Sequence, residues 1–134
     1  MYLVDTNVWL ERLLGQTKSA EVGQFLAQIP SDQLLITDFT FHSIGVVVCR
    51  LRRREALLRF VRDAFVDGAV MLISLQPEEM QSLFDLMGKY NLDFDEAYQY
   101  VAAEKYDAVI VSLDGDFDQT ERGRKTPAEL LAAE

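Results

Sequence analysis

The most constraining feature of this sequence is a short apolar stretch that ends in an acid and gives way at once to helical periodicity. Tyr2, Leu3 and Val4 read as a buried strand, Asp5 follows, and Val8, Trp9, Leu10, Leu13 and Leu14 then recur at the spacing of one helix face. Thr6 and Asn7, between the two, are polar residues of the kind that cap helices. Asp5 is thereby placed at the C-terminal end of a strand, the edge of an open α/β sheet at which ligands and catalytic groups collect.

The same pattern returns far downstream. Val109-Ile110-Val111-Ser112 is an apolar strand running into Leu113-Asp114-Gly115-Asp116-Phe117, where Gly115 permits a tight turn between two carboxylates. Between the two strand ends, Asp93-Phe94-Asp95-Glu96-Ala97-Tyr98 forms the acidic first turn of a helix expected to run to about Lys105. If the two strands are parallel neighbours, three sources of carboxylate meet at one sheet edge. Oxygen clusters of this kind hold hard divalent cations such as Mg²⁺ or Mn²⁺.

These residues carry a resemblance. Asp5-Thr6-Asn7 after a first strand, Glu96-Ala97 at the head of a late helix, and Ser112-Leu113-Asp114-Gly115-Asp116-Phe117 after a late strand resemble, in order and spacing along the whole chain, the PIN domain of VapC-type toxin ribonucleases. The resemblance implies an α/β, PIN-like three-layer domain over residues 1–134, with a mostly parallel central sheet flanked by helices. It also implies a metal-dependent endoribonuclease in which Asp5, Glu96, Asp114 and Asp116 are catalytic. Asp5, Asp114 and one or both of Asp95 and Glu96 would hold Mg²⁺ or Mn²⁺, with Thr6 and Ser112 orienting carboxylates or water. The implied partners are an RNA substrate, an antitoxin protein and a second copy of the chain.

One position departs from the family's pattern. The run Thr40-Phe41-His42-Ser43 places Ser43 where the family carries a Glu, so Ser43 stands beside the acids in place of a ligand. His42 and Asp38 are the nearby residues able to substitute. As the only His, His42 is also readable as a structural residue near a helix start.

The rest of the chain fits the same architecture. Val22, Phe25, Leu26 and Ile29 give a second helix one apolar face, ended by Pro30. Leu34 to Thr37 reads as a second strand, and Asp38 or Thr40 as the cap of the helix after it. That helix is rich in β-branched residues, so a strand is its alternative. Leu57 to Phe65 continues as a helix stopped near Gly68, Ala69 to Leu75 as a third strand, and Pro77 opens a helix expected to end before Gly88. Thr126-Pro127-Ala128-Glu129 is a capping box opening a terminal helix. Strands alternating with helices of this length argue for βαβ units and a mostly parallel sheet.

Charge and composition bound the function. A formal charge of −9 opposes phosphate binding in general, but Arg50, Arg52, Arg53, Arg54, Arg59 and Arg62 crowd one short region. That region is either a solvated helix face or a contact surface for RNA or an acidic partner, with Arg50, Arg52, Arg53 and Arg54 as its centre. The aromatic residues fall mostly at core spacing and receive no base-stacking role. No apolar run approaches the ~20 residues of a membrane helix, so no membrane association is expected. No signal peptide is visible, and the lone Cys49 fits a reducing, cytoplasmic setting.

Two rival functions remain on the sequence. One is a PIN-derived binding module for RNA or protein that has lost turnover with the acid at Ser43. The other is a phosphatase or phosphoacceptor domain, opposed by Asn7 standing where a second Asp is needed and by the lack of a Lys at the late strand.

Overall fold

Side-chain alternation on four short strands explains why this chain forms layers. The computed structural model describes residues 1–133. Among them, β1 (Tyr2–Val4), β2 (Leu34–Thr37), β3 (Met71–Ile73) and β4 (Val109–Val111) alternate with seven α-helices. These are α1 (Thr6–Leu13), α2 (Ser19–Gln28), α3 (Asp38–Arg50), α4 (Arg54–Val61), α5 (Met80–Tyr90), α6 (Phe94–Tyr106) and α7 (Pro127–Ala132). The strands form one parallel sheet in the order β3-β2-β1-β4. Leu3 of β1 lies opposite Leu35 of β2 on one side and Ile110 of β4 on the other, so the first and last strands are direct neighbours.

Because side chains alternate between the faces of a sheet, each strand feeds two cores. Leu3, Leu35, Ile73 and Ile110 face α5 and α6, packing with Leu83, Ala97, Val101 and Phe117. Val4, Leu34, Ile36 and Val111 face the opposite layer, meeting Trp9 of α1, Phe25 of α2, Ile44 and Val48 of α3, and Phe60 of α4. Leu130 and Leu131 of α7 close that side. Each fully buried Val, Leu, Ile or Phe among them contributes about 1.5–3 kcal/mol, which is what holds strands of three or four residues in register. The result is a three-layer α/β architecture with a parallel central sheet, and no helix among the described residues is long and apolar enough to cross a membrane.

Several local expectations shift by a residue or a turn. The segment after β2 is helical, not a strand, because Ile44 and Val48 fall on one helix face and are both buried. Its cap is Thr37, whose hydroxyl accepts from the Thr40 amide at 3.0 Å, and not Asp38 or Thr40. Thr37 still has extended backbone while Asp38 is already helical, so the turn from strand to helix comes one residue early. Helix α5 passes through Gly88 and ends at Asn91, which takes the left-handed conformation (φ 55°) common at helix C-termini. Strand β3 is shorter than Ala69–Leu75 because it is an edge strand, paired only with β2, and its Met71 and Leu72 are exposed.

Helix α4 runs on into a wider π turn over Arg62–Val66, and the chain then folds back so that the Val70 amide donates to the Ala64 carbonyl at 3.0 Å. Gly68 makes this reversal possible. A Cβ added there would lie 2.5 Å from the Asp63 carbonyl oxygen and 2.8 Å from that of Ala64, both fixed backbone atoms. Gly68→Ala is therefore expected to destabilise the fold by about 1–3 kcal/mol, measured by urea unfolding, whereas Gly45→Ala, which meets nothing within 4 Å, should not.

Candidate metal centre

The parallel pairing of β1 with β4 continues past the strand ends. The Asp5 amide donates to the Val111 carbonyl at 2.9 Å, and this bond sets Asp5 beside Ser112. Asp5 is itself the cap of α1, in place of Thr6 or Asn7: its backbone is extended and its Oδ1 accepts from the Thr6 amide at 2.7 Å. Its Oδ2 accepts from the Ser112 hydroxyl at 2.8 Å and from Asn7 Nδ2 at 3.4 Å. Gln99 Nε2, from α6, donates to Oδ1 at 3.3 Å. Burial nevertheless pushes the Asp5 carboxyl above its ordinary range, and the charge of Asp114 adds to that shift.

Ser112 and Asn7 fix the exit of β4. Ser112 Oγ accepts from the Asp114 amide at 2.9 Å, while Asn7 Oδ1 accepts from the Leu113 amide at 3.1 Å. Asp114 then caps a 3₁₀ turn over Gly115–Gln119, with Oδ1 accepting from the Asp116 amide at 2.9 Å. At the head of α6, Asp93 and Glu96 form a reciprocal capping box: Glu96 Oε1 accepts from the Asp93 amide at 2.9 Å, and Asp93 Oδ1 from the Glu96 amide at 2.8 Å.

These turns bring one carboxylate oxygen each from Glu96, Asp114 and Asp116 within 4.8 Å of one another. Glu96 is pushed up to about 7, mainly by burial, with the hydrogen-bonded Asp116 carboxyl and the Asp93 charge contributing. Asp95 is raised as well, by burial and then by Asp93. Glu96 and Asp114 of the trio open on a cavity of about 300 Å³ lined also by Asp5, Thr6, Asn7, Ser43, Asp93, Asp95 and Gln99, with Leu10, Phe39 and Phe117 as its apolar wall. All of the trio's donors are carboxylate oxygens, with no thiolate or imidazole, and this set suits a hard divalent cation.

The sequence-derived residues divide clearly. Asp5, Glu96 and Asp114 line one cavity, but Asp5 lies outside the tight trio, where Asp116 takes its place. Asp116, expected among the catalytic acids and as an optional further holder of the metal, belongs to the trio itself. Asp95 sits on the exposed rim, and Ser43 lines the wall. The Thr6 hydroxyl turns to Thr40 Oγ1 at 2.9 Å. His42 is exposed and outside the lining, and Asp38 is occupied by the Phe39 amide and the Tyr98 hydroxyl, both at 2.8 Å, so neither replaces the missing acid. Arg50, Arg52, Arg53 and Arg54 are exposed at the far end of α3, roughly 18 Å of helix from its start at the cavity edge. The cation that does reach this edge is Arg124, which donates to Asp118 Oδ1 at 3.0 Å and to the Ser112 carbonyl at 3.1 Å.

Asn7, Asp93, Gln99 and Arg124 were not anticipated as site residues. Asn7 and Asp93 carried a signal, since each stands two residues from a singled-out acid, Asn7 after Asp5 in the turn from β1 to α1 and Asp93 before Asp95 at the head of α6. Gln99 is three residues after Glu96 and so shares its helix face. Arg124 lies in a loop without periodicity.

A family model described as PIN domain matches residues 2–123. Solved structures of similar fold include a toxin–antitoxin complex from Klebsiella pneumoniae, 20% identical over 95% of this chain and 98% of the other, with a TM-score of 0.75. VapC20 of Mycobacterium tuberculosis, described as a sarcin–ricin loop cleaving toxin, is 14% identical over 88% and 93% of the two chains, with a TM-score of 0.74. FitAcB from Neisseria gonorrhoeae is 16% identical over 96% and 99%, with a TM-score of 0.70. At such identities the likeness is one of fold. No curated protein matches the chain.

The raised Glu96 carboxyl gives a pH test with a definite sign. Folding lifts it from 4.5 to about 7, so between these values the folded state binds more protons than the unfolded one, and metal-free stability falls as pH rises through that window. Glu96→Gln keeps the capping geometry and removes the titration. Thermal unfolding in chelator should show a drop from pH 4.5 to 7 in the parent and a flatter profile in the variant.

Proposed function

Because the chain belongs to the PIN domain family, we propose that it is a divalent-metal-dependent endoribonuclease and the toxin of a toxin–antitoxin pair. The observation that carries this reading is the trio of Glu96, Asp114 and Asp116 oxygens beside Asp5, at the C-terminal edge of a parallel sheet. Glu96, Asp114 and Asp116 would hold Mg²⁺ or Mn²⁺, with Asp5 as the buried anion behind them and Asp95 at the rim. When bound, such an ion supplies an activated water and neutralises charge developing on the scissile phosphate. Ser112, Asn7 and Gln99 keep the Asp5 carboxylate fixed, and the Thr6 hydroxyl joins α1 to α3 by donating to Thr40 Oγ1. The substrate is single-stranded RNA. An antitoxin is the expected protein partner, in keeping with the Klebsiella pneumoniae complex, and a second copy of the chain is another.

Ser43 on the cavity wall favours a second reading, a catalytically weakened module that binds RNA or protein. A ligand set one carboxylate short should hold its ion weakly, and a new anionic oxygen strengthens a hard-cation site more than a hydroxyl does. The parent is expected to cleave single-stranded RNA slowly at high Mn²⁺, Ser43→Glu to cleave faster at equal Mn²⁺, and Asp114→Asn to abolish both. No metal-dependent cleavage by either parent or Ser43→Glu would leave the binding module as the better account.

The Arg-rich end of α3 and start of α4 is proposed as a contact for RNA or an acidic partner, remote from the cavity. Replacing Arg52, Arg53 and Arg54 with Ala should weaken RNA binding and reduce its salt dependence, while leaving Mn²⁺ affinity unchanged. Unchanged RNA affinity and salt slope would make the segment a solvated face.

A further inference from the structure

Gln99 is buried to within 2% of full enclosure, and its Oε1 is the one buried side-chain oxygen or nitrogen among the described residues without a hydrogen-bond partner. A buried acceptor left without a partner is costly, so an orphan of this kind in a core marks a missing donor. The amide cannot simply turn over to find one. Its Nε2 donates to Asp5 Oδ1 at 3.3 Å and also to Thr40 Oγ1, and the reversed amide would set a carbonyl oxygen against the Asp5 carboxylate.

Its surroundings point to the donor. Gln99 lies one turn after Glu96 on the same face of α6 and lines the same cavity as Asp5, Glu96 and Asp114. Thr40, its partner on α3, is one turn before Ser43, so Gln99 packs against the face of α3 from which the family's acid is absent. A side-chain amide carbonyl is a hard oxygen that accepts well from water in a cation's hydration shell. We infer that Gln99 is a positioning residue of the metal centre, its Oε1 accepting a hydrogen bond from the hydration shell of a divalent cation held by Glu96, Asp114 and Asp116. This rests on the metal-dependent reading above. It gives the site a neutral acceptor where an anion is lost, and ties the cation to the same amide that holds Asp5.

The test is Mn²⁺ titration calorimetry on the chelator-stripped full chain at neutral pH, comparing the parent with Gln99→Met and Gln99→Glu. Methionine keeps the volume and removes donor and acceptor alike; glutamate keeps an oxygen acceptor, loses the donor to Asp5 and Thr40 and adds a negative charge. The expected result is affinity about tenfold or more weaker for Gln99→Met and at least equal to the parent for Gln99→Glu. Equal affinity in Gln99→Met, or an affinity in Gln99→Glu as weak as in Gln99→Met, would reduce Gln99 to a prop for Asp5 and overturn the inference. If circular dichroism shows Gln99→Met unfolded, Gln99→Glu decides alone, and weaker binding than the parent overturns it. A parent that takes up no Mn²⁺ removes the metal-dependent reading itself, and the inference with it.

Discussion

Everything at the cavity depends on the parallel pairing of β1 with β4, carried past the strand ends by the Asp5 amide on the Val111 carbonyl. Two acids at opposite ends of the sequence become neighbours only because these strands adjoin. The pairing is short, so its strength comes from burial on both faces: Leu3 and Ile110 toward α5 and α6, Val4 and Val111 toward the helices opposite. The Ser112 hydroxyl and the Asn7 amide then convert strand register into side-chain register. A one-residue slip would send Leu3 and Val4 to the wrong cores and take Asp5 from Ser112.

Collecting carboxylates at this edge works against the stability of the metal-free fold. The Asp5 and Glu96 carboxyls are both pushed upward, burial being the first cause in each. A divalent ion held there would compete with protons for the same oxygens, and its apparent affinity would rise with pH. The charge balance of the chain follows from this division. Acids gather at the C-terminal edge of the sheet, and the Arg-rich segment lies at the other end of α3.

How much of this could be read from the sequence depended on whether a residue acts within a periodic element or across the fold. The strands were legible because each is apolar, and α1, α2, α6 and α7 because their apolar faces, and in α7 the capping box, are local. The acids at 5, 96 and 114 were legible as strand-end and helix-head residues. Asp116 joins the trio because the 3₁₀ turn after Asp114 folds it back, a geometry that Asp-Gly-Asp permits without dictating. Thr37 takes the cap from Asp38 because backbone conformation at the strand end decides the position, and composition does not. Gln99 was the least legible: a polar residue among Tyr98, Tyr100 and Val101 acquires meaning only when Asp5 and Thr40 arrive from elsewhere in the chain.

The central claim is that the three close carboxylates are a cation site, and an anomalous diffraction map of crystals grown with Mn²⁺ tests it most directly. The account predicts an anomalous peak between Glu96, Asp114 and Asp116, with Asp5 behind it. A map without a peak at that cluster, from crystals with Mn²⁺ in excess, would contradict it.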